Sequence, residues 1–247
     1  MIDLSGRVVA ITGGSSGIGE ATALACAAAG ASVALAARRA DRIEAVAARI
    51  MEEGGTAIAI PTDVADERQA RTFIEQTYEQ LGRVDALVNN AGVMLLGAVT
   101  GADTADWRRM IDANLYGVLY CTHAALPVMA EQGGGHIVNV SSVAGRIASA
   151  GSAVYNMTKW GVNGFSEGLR QEALHAGVRV TIIEPGAVET ELVGHNNEQI
   201  QAMAAKVFEG VESLKASDVA NAIVYALGQP ENVAINEVLI RPARQAR

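Results

Sequence analysis

The chain alternates between short apolar segments typical of β-strands and longer segments typical of helices. This alternation constrains its fold more than any other feature. The predicted strands cover residues 7–12, 31–37, 57–60, 84–88, 136–140, 178–183 and 237–240. They lack an alternation of apolar and polar residues, as is typical of parallel strands that are buried on both faces. The sequence therefore predicts an α/β protein with a doubly wound parallel sheet and helices on both faces.

Helices are predicted between these strands, at residues 19–29, 40–53, 66–81, about 106–132, about 152–176 and 217–227. Several end at a glycine, such as Gly30 or Gly82, which is a common signal for the end of a helix. No proline- or serine-rich linker, charge block or low-complexity segment divides the 247 residues. We therefore expect a single domain over residues 1–247.

Composition argues against several classes of partner. Apolar segments are interrupted well before the length that crosses a bilayer, and the N-terminus lacks a basic region followed by an apolar one, so we expect a cytoplasmic protein without a membrane partner. A net charge of -8 argues against a nucleic-acid surface. Cys26 and Cys121 are expected to be buried thiols, and the four histidines lack the spacing of a zinc site, so no metal is expected.

The turn between the first predicted strand and the first predicted helix is rich in glycine. Glycine lets the backbone turn sharply and approach a ligand, and a helix N-terminus offers free N–H groups with partial positive charge. This position in the chain is that of a pyrophosphate-binding turn, although a plain tight connection is the alternative. The candidate cofactor residues here are Gly13, Ser15, Ser16, Gly17, Ile18 and Gly19.

The end of the second predicted strand carries two arginines. An NAD-binding chain usually has Asp or Glu at this place to hold the ribose 2′-hydroxyl, whereas this chain has Arg38 and Arg39. Planar guanidinium groups pair with phosphate oxygens through several N–H donors. The pair therefore favours NADP over NAD, with Ser15 and Ser16 as further phosphate donors. The alternative is that the arginines only begin a solvated helix.

Tyr155 and Lys159 stand four residues apart, and Ser142 lies thirteen positions before the tyrosine. On a helix this spacing places the phenol and the ammonium on one face, one turn apart. An adjacent positive charge favours phenolate, so we expect Lys159 to lower the pKa of Tyr155 toward the working pH of an acid/base catalyst. Taken alone, the spacing is also common on solvated helices.

A series of motifs resembles those of the short-chain dehydrogenase/reductases. In order they are Thr12-Gly13-x-x-x-Gly17-Ile18-Gly19, Asp63-Val64, Asn89-Asn90-Ala91-Gly92, Asn114, Ser142, Tyr155-x-x-x-Lys159 and Pro185-Gly186. The resemblance implies a seven-stranded Rossmann-type sheet, NADP(H) as cofactor and reduction of an aldehyde or ketone. It also implies a homotetramer or dimer in which the two long helices pack against their symmetry mates.

The same resemblance implies roles for individual residues. Tyr155 would donate a proton to a carbonyl or accept one from an alcohol, and Ser142 would hydrogen-bond the reacting oxygen. Lys159 would hold the nicotinamide ribose, and Asn114, within the long helix before the fifth strand, would position a water. Further cofactor contacts are implied for Asp63, Val64, Asn90, Ala91, Gly92, Pro185, Gly186, Val188 and Thr190. Asp63 could alternatively cap the helix that follows it.

Residues 187 to about 214 are predicted to form a lid over an apolar substrate. Apolar side chains occur there at irregular spacing, at Leu192, Val193, Met203 and Phe208. A small satellite core is the alternative. Arg146 could pair with a substrate carboxylate, or it could be a surface arginine.

The C-terminal sequence, residues 236–242, together with residues 36–39, 94–97 and 183–186, resembles the branch of the family that contains clavulanate dehydrogenase and the serine and 3-hydroxy acid dehydrogenases. Three functions follow from these observations. The first is an NADPH-dependent carbonyl reductase, and the second is an NAD(P)-dependent oxidation of a 3-hydroxy acid or secondary alcohol. The third is a non-catalytic NADP-binding sensor. The presence of Asn114, Ser142, Tyr155 and Lys159 argues against the third, because a binding module has no need for an acid/base pair.

Overall fold

A computed structural model describes residues 2–196, 198, 200–201 and 210–246. The described residues form seven strands: β1 (Val8–Thr12), β2 (Ser32–Ala37), β3 (Thr56–Pro61), β4 (Ala86–Asn89), β5 (Gly135–Val140), β6 (Val178–Pro185) and β7 (Glu237–Ile240). They make one sheet in the order β3-β2-β1-β4-β5-β6-β7, and every pairing is parallel. The predicted doubly wound sheet is confirmed.

Helices connect the strands. They are α1 (Gly17–Ala28), α2 (Ala40–Glu52), α3 (Glu67–Leu81), α4 (Thr104–Ile111), α5 (Gly117–Glu131), α6 (Ala153–Glu172) and α7 (Ala216–Leu227). Short 3₁₀ segments lie at Val143–Gly145, Ala173–Ala176 and Glu191–His195. Across the described parts of the chain, none of the helices has the length and apolar character needed to cross a membrane.

The predicted long helix at about 106–132 differs from the structure in its start and in its regularity. It begins earlier, at Thr104, and a π-helical turn at Asp112–Tyr116 separates α4 from α5. Residue periodicity gives no sign of such a turn. The one buried residue of this π turn is Asn114. Single π turns inside α-helices often occur at functional sites.

The core is divided by the sheet into two layers. On one face, Ile43 of α2 and Ile223 of α7 belong to one buried cluster, together with Cys26 of α1. On the other face, Phe73 of α3 and Cys121 of α5 belong to a second cluster. Each fully buried side chain of this size contributes about 1.5–3 kcal/mol relative to an exposed one. The two layers confirm helices on both faces of the sheet.

Both cysteines are free thiols inside this core, as predicted. Burial raises the pKa of Cys26 and of Cys121 to about 12 in each case. Thiolate is the reactive form of cysteine, so these side chains act as small apolar residues in the folded protein.

The strand order sets the position of the functional site. β1 pairs with β2 on one side and with β4 on the other, so the chain runs outward in opposite directions from this point. The connections leave a crevice outside the carboxyl ends of the strands at such a switch point, and ligands of doubly wound proteins bind there.

Candidate active site

A cleft of about 870 Å³ lies over the carboxyl ends of the strands. It is lined by the loops that follow β1 to β6, and nearly every candidate residue contributes to it. The candidates that line the cleft are Gly13, Ser15, Ser16, Gly17, Ile18, Arg38, Arg39, Asp63, Val64, Asn90, Ala91, Gly92, Ser142, Tyr155, Lys159, Pro185, Gly186, Val188 and Thr190. Gly19 and Asn114 are not among its lining residues.

The glycine-rich turn follows β1 and opens α1. Gly13 and Gly17 have φ angles of +68° and +56°, which favour glycine. A Cβ on Gly19 would lie 2.2 Å from the carbonyl oxygen of Gly13. Gly19 therefore allows α1 to pack closely on the turn, while the other two glycines shape its course.

The start of α1 suits an anion. Ser16 occupies the N-cap position, but its side chain makes no capping hydrogen bond to the helix. The first N–H groups of α1 are therefore not satisfied by this side chain, and they carry the positive end of the helix dipole. Together with the glycines, this arrangement fits the pyrophosphate of a dinucleotide.

Thr12 and Asn90 join the turn to the end of β4. The hydroxyl of Thr12 accepts hydrogen bonds from the backbone N–H groups of Asn90 and Ala91, both at 3.0 Å. The Asn90 amide donates to the carbonyl oxygens of Thr12 at 3.0 Å and Gly13 at 3.3 Å. These bonds fix the two sides of the switch point relative to each other.

Two arginines share one carboxylate at the β2 end of the cleft. Arg39 donates through Nη2 to the hydroxyls of Ser15 and Ser16, each at 2.9 Å. Its Nη1 pairs with Glu191 at 2.8 Å, and Arg42 pairs with the same carboxylate at 2.7 Å. The sequence interpretation missed Arg42 and Glu191. The signal for Arg42 was its position three residues after Arg39 at the start of a helix, which places both on one face.

Asp63 and Val64 lie just beyond β3 on the floor of the cleft. The alternative that Asp63 caps the next helix is wrong, because Asp66 occupies the N-cap of α3 and accepts a hydrogen bond from the Gln69 backbone at 3.1 Å. The Asp63 carboxylate accepts from the backbone N–H of Ala65 at 3.1 Å.

Ser142, Tyr155 and Lys159 meet at the β5 end of the cleft. Ser142 follows β5, while Tyr155 and Lys159 are buried in the first turns of α6. The Lys159 ammonium donates to the carbonyl oxygen of Val140 at 2.9 Å and lies 5.8 Å from the centre of the Tyr155 ring. Ser142 and Tyr155 both line this end of the cleft. Two hydroxyl groups and one ammonium therefore converge on a small volume.

The predicted direction of the tyrosine pKa shift is wrong for this structure. Burial raises the pKa of Tyr155 to about 12, although the hydrogen bond with Ser142 acts in the opposite direction. Burial also lowers the pKa of Lys159 to about 8. Desolvation disfavours the charged form of each group, and it is the largest cause of both shifts.

Asn114 connects the π turn to the loop after β4. Its amide oxygen accepts from the backbone N–H of Val93 at 2.8 Å, and its amide nitrogen donates to the Val93 carbonyl at 2.9 Å. The same nitrogen donates to the hydroxyl of Thr158 at 3.1 Å. Thr158 precedes Lys159, so Asn114 links the cleft loop to the helix that carries the tyrosine and lysine.

The substrate end of the cleft is mainly apolar. Its lining includes Met94, Leu96, Val143, Leu192 and Val193. The segment after β6 is held across this end by Asn196. Its side chain accepts from the backbone N–H of residue 96 at 2.7 Å and donates to the carbonyl of residue 94 at 2.9 Å. Met203 and Phe208, the other apolar residues of the predicted lid, lie outside the described residues.

Arg146 is engaged by protein carboxylates. Its guanidinium donates to Glu184 at 2.6 Å and also pairs with Glu237. The same Glu184 carboxylate, which is fully buried, accepts from Asn163 at 2.8 Å. Arg146 does not line the cleft, so the interpretation of this arginine as a partner for a substrate carboxylate finds no support in its contacts.

The parallel sheet, the glycine-rich turn at its switch point and the hydroxyl and ammonium groups in one cleft define a Rossmann-type dinucleotide-binding protein. The family model described as short chain dehydrogenase matches residues 7–201. An oxidoreductase of Staphylococcus saprophyticus is 40% identical over 250 residues, which cover 100% of both chains. The chain therefore belongs to the short-chain dehydrogenase/reductase family and is an oxidoreductase.

Further similarity is found to a larger protein and to solved structures. The glycine betaine reductase of Emericella nidulans is 41% identical over 97% of this chain and 19% of that protein. A closed form of serine dehydrogenase complexed with NADP+ has a TM-score of 0.91 and 32% identity, covering 98% of this chain and 97% of that one. An alcohol dehydrogenase of Thermococcus sibiricus complexed with 5-hydroxy-NADP has a TM-score of 0.87 and 29% identity, with 98% of each chain covered.

Proposed function

We propose that the protein is an NADPH-dependent carbonyl reductase that converts an aldehyde or ketone to the alcohol. The convergence of Ser142, Tyr155 and Lys159 at the apolar end of the cleft carries this proposal. Reduction of a carbonyl builds negative charge on its oxygen. Hydrogen-bond donors aimed at that oxygen stabilise the transition state more than the ground state.

The residues fit NADP(H). The turn from Gly13 to Gly19 would hold the pyrophosphate, and the arginines after β2 would bind the ribose 2′-phosphate. Similarity to proteins solved with NADP+ and with 5-hydroxy-NADP supports this choice. Pro185, Gly186, Val188 and Thr190 line the opposite end, where the nicotinamide would lie. When bound, the cofactor supplies the hydride.

The chain's own side chains would manage the proton. The raised pKa of Tyr155 keeps its phenol protonated at neutral pH, so the phenol can donate to a carbonyl oxygen. Ser142, which lines the same end of the cleft, would donate a second hydrogen bond to the same oxygen. Lys159 would orient the nicotinamide ribose, and Asn114 would position a water near the lysine. Leu192 and Val193 would exclude bulk water from the substrate, as part of a lid at about 187–214.

A second candidate is the oxidation of a 3-hydroxy acid or secondary alcohol. The similarity to serine dehydrogenase favours it, because that protein is named for the oxidation of a hydroxylated substrate. The same acid/base group serves both directions, since a residue that donates a proton in reduction accepts one in oxidation.

We also propose that the protein forms a homo-oligomer, a tetramer or dimer, through α5 and α6. Met157 and Trp160 of α6 are 51% and 52% exposed, and Leu119 of α5 is also exposed. Large apolar side chains that cluster on a surface mark interaction sites in soluble proteins. Light scattering should give a mass two or four times that of the chain, and a monomeric mass would contradict the proposal.

Turnover assays test the enzymatic function. The loss of NADPH and, separately, of NADH should be followed with a panel of aldehydes and ketones, and the reverse reaction with secondary alcohols and 3-hydroxy acids. We expect faster reduction with NADPH than with NADH. A preference for oxidation would support the second candidate. Tight NADPH binding without turnover of any substrate would leave only the sensor function.

A further inference from the structure

Glu191 bridges the two ends of the cleft. It is the first residue of the 3₁₀ segment that follows β6 and Thr190. One oxygen of its carboxylate pairs with Arg39 at 2.8 Å and the other pairs with Arg42 at 2.7 Å. Each of these side chains is a little less than half exposed. The carboxylate therefore holds two guanidinium groups at once, at the rim of the cleft.

The bridge crosses the region where a dinucleotide would lie. Both arginines belong to the β2–α2 connection, whereas Glu191 follows β6, and β1, β4 and β5 lie between these strands in the sheet. Thr190, beside Glu191, passes close to the glycine-rich turn, since a Cβ on Gly17 would lie 3.1 Å from its methyl group. The segment after β6 thus reaches back over the turn and is tied to α2 by ion pairs.

Each of the three guanidinium nitrogens of Arg39 already has a hydrogen-bond partner. Its Nε and Nη2 contact the hydroxyl of Ser15, and Nη2 also contacts Ser16. The remaining group, Nη1, contacts Glu191. A phosphate that enters the site formed by the two serines and Arg39 must share the guanidinium with the carboxylate. The hydrogen bonds from Arg42 and Arg39 lower the pKa of Glu191 to about 2, so at neutral pH the carboxylate is charged and competes with a phosphate that is also charged.

Arg38 differs from its neighbour. It lines the cleft, yet within the described residues it has no ion pair. A phosphate at Arg38 therefore meets no competing carboxylate, whereas a phosphate at Arg39 or Arg42 shares its guanidinium with Glu191.

We infer that Glu191 is a specificity-determining residue that competes with the ribose 2′-phosphate of the cofactor for Arg39 and Arg42. This inference rests on the proposed use of NADP(H). A dinucleotide without the phosphate leaves the bridge intact, whereas one with the phosphate must break or share it. The carboxylate thus reduces the preference of the cleft for the phosphorylated cofactor, and phosphate binding loosens the segment after β6 from α2.

Binding titrations of Glu191→Gln test the inference, with Glu189→Gln as the matched control. Glu189 lies in the same segment and is exposed, and no described residue forms an ion pair with it. Both variants remove one negative charge. The ligands are NADPH and NADH, together with 2′,5′-ADP and 5′-AMP, which lack the nicotinamide half. The substitution removes two surface ion pairs that compete with the phosphate. We therefore expect Glu191→Gln to bind NADPH and 2′,5′-ADP about three- to tenfold more tightly than the wild type.

The other affinities should stay within about twofold of the wild type for both variants, since exposed charges away from a ligand contribute little. An unchanged or weaker affinity of Glu191→Gln for 2′,5′-ADP, or an equal gain in Glu189→Gln, overturns the inference. A wild type that binds NADPH no more tightly than NADH refutes the proposed cofactor preference instead. In that case the affinity for 2′,5′-ADP is the test, and Glu191→Gln must still bind this ligand more tightly than the wild type does.

Discussion

The two carboxylates that hold Arg146 should differ greatly in their effect on stability. Glu184 is fully buried near the end of β6 and accepts hydrogen bonds from Arg146 at 2.6 Å and Asn163 at 2.8 Å. Glu237, at the start of β7, pairs with the same guanidinium but is 53% exposed. Glu184→Gln places an amide nitrogen against one of two donors, so at least one buried hydrogen bond is lost.

The expected loss of stability depends on which partners Arg146 keeps after the substitution. Removing one partner of a buried ion pair costs about 3–5 kcal/mol when the other charge is left uncompensated. Arg146 is 37% exposed and keeps Glu237, so we expect Glu184→Gln to lower the free energy of unfolding by about 2–3 kcal/mol. Glu237→Gln removes an exposed pair and should cost no more than about 1 kcal/mol.

Urea unfolding at fixed protein concentration measures both variants. For a chain of this size, the difference corresponds to a fall in Tm of about 4–12 °C for Glu184→Gln and at most about 4 °C for Glu237→Gln. Equal losses of stability in the two variants would refute the reasoning, because Glu184 is buried and has a second donor in Asn163, whereas Glu237 is exposed. A more stable Glu184→Gln would refute it as well.

Three further predictions concern the cleft. Tyr155→Phe should reduce kcat by about 10²–10⁴-fold while the cofactor Kd stays within about twofold, and a variant that retains full turnover would remove the phenol from its proposed role. With pKa values of about 12 for Tyr155 and about 8 for Lys159, kcat/KM for reduction should be steady below pH 8 and fall above it, while alcohol oxidation should rise with pH. A reduction rate that rises with pH would contradict this. Gly19→Ala should destabilise the protein by about 1–3 kcal/mol and weaken cofactor binding, because its Cβ meets the Gly13 carbonyl, and a fully stable variant would disagree with that contact.

The fold could be predicted from the sequence because its signals are local and repeated. Strand β1 is a buried apolar run that stops at glycine, and the later strands are also short, mainly apolar runs separated by helices. The same succession of strand and helix recurs along the chain, so seven separate segments all predict the parallel sheet. The π turn at Asp112–Tyr116 lacks such a signal, because the side chain within it, Asn114, bonds to a loop twenty-one residues away.

The residues that sequence reasoning missed form ion pairs with distant parts of the chain. Glu191 follows Arg39 by 152 residues, and Glu184 precedes Glu237 by a long connection, so neither arrangement leaves a spacing that can be recognised. Glycines and the tyrosine-lysine spacing are recognisable because backbone geometry and helix period fix them. An ion pair between two loops forms only where the fold brings those loops together. The order of the strands in the sheet determines which loops are neighbours.

The opposite pKa shifts of Tyr155 and Lys159 show what a spacing cannot determine. Four residues along a helix fix the distance between the groups, and at that distance an ammonium favours phenolate. Whether the pKa is raised or lowered also depends on how deeply the group is buried, and both side chains are more than nine-tenths buried. The same burial that raises the tyrosine pKa lowers the lysine pKa, so it weakens the cation that was expected to act on the phenol. The pair is therefore better described as a protonated donor beside a lysine that loses its proton at mildly alkaline pH than as a phenolate held by a permanent charge.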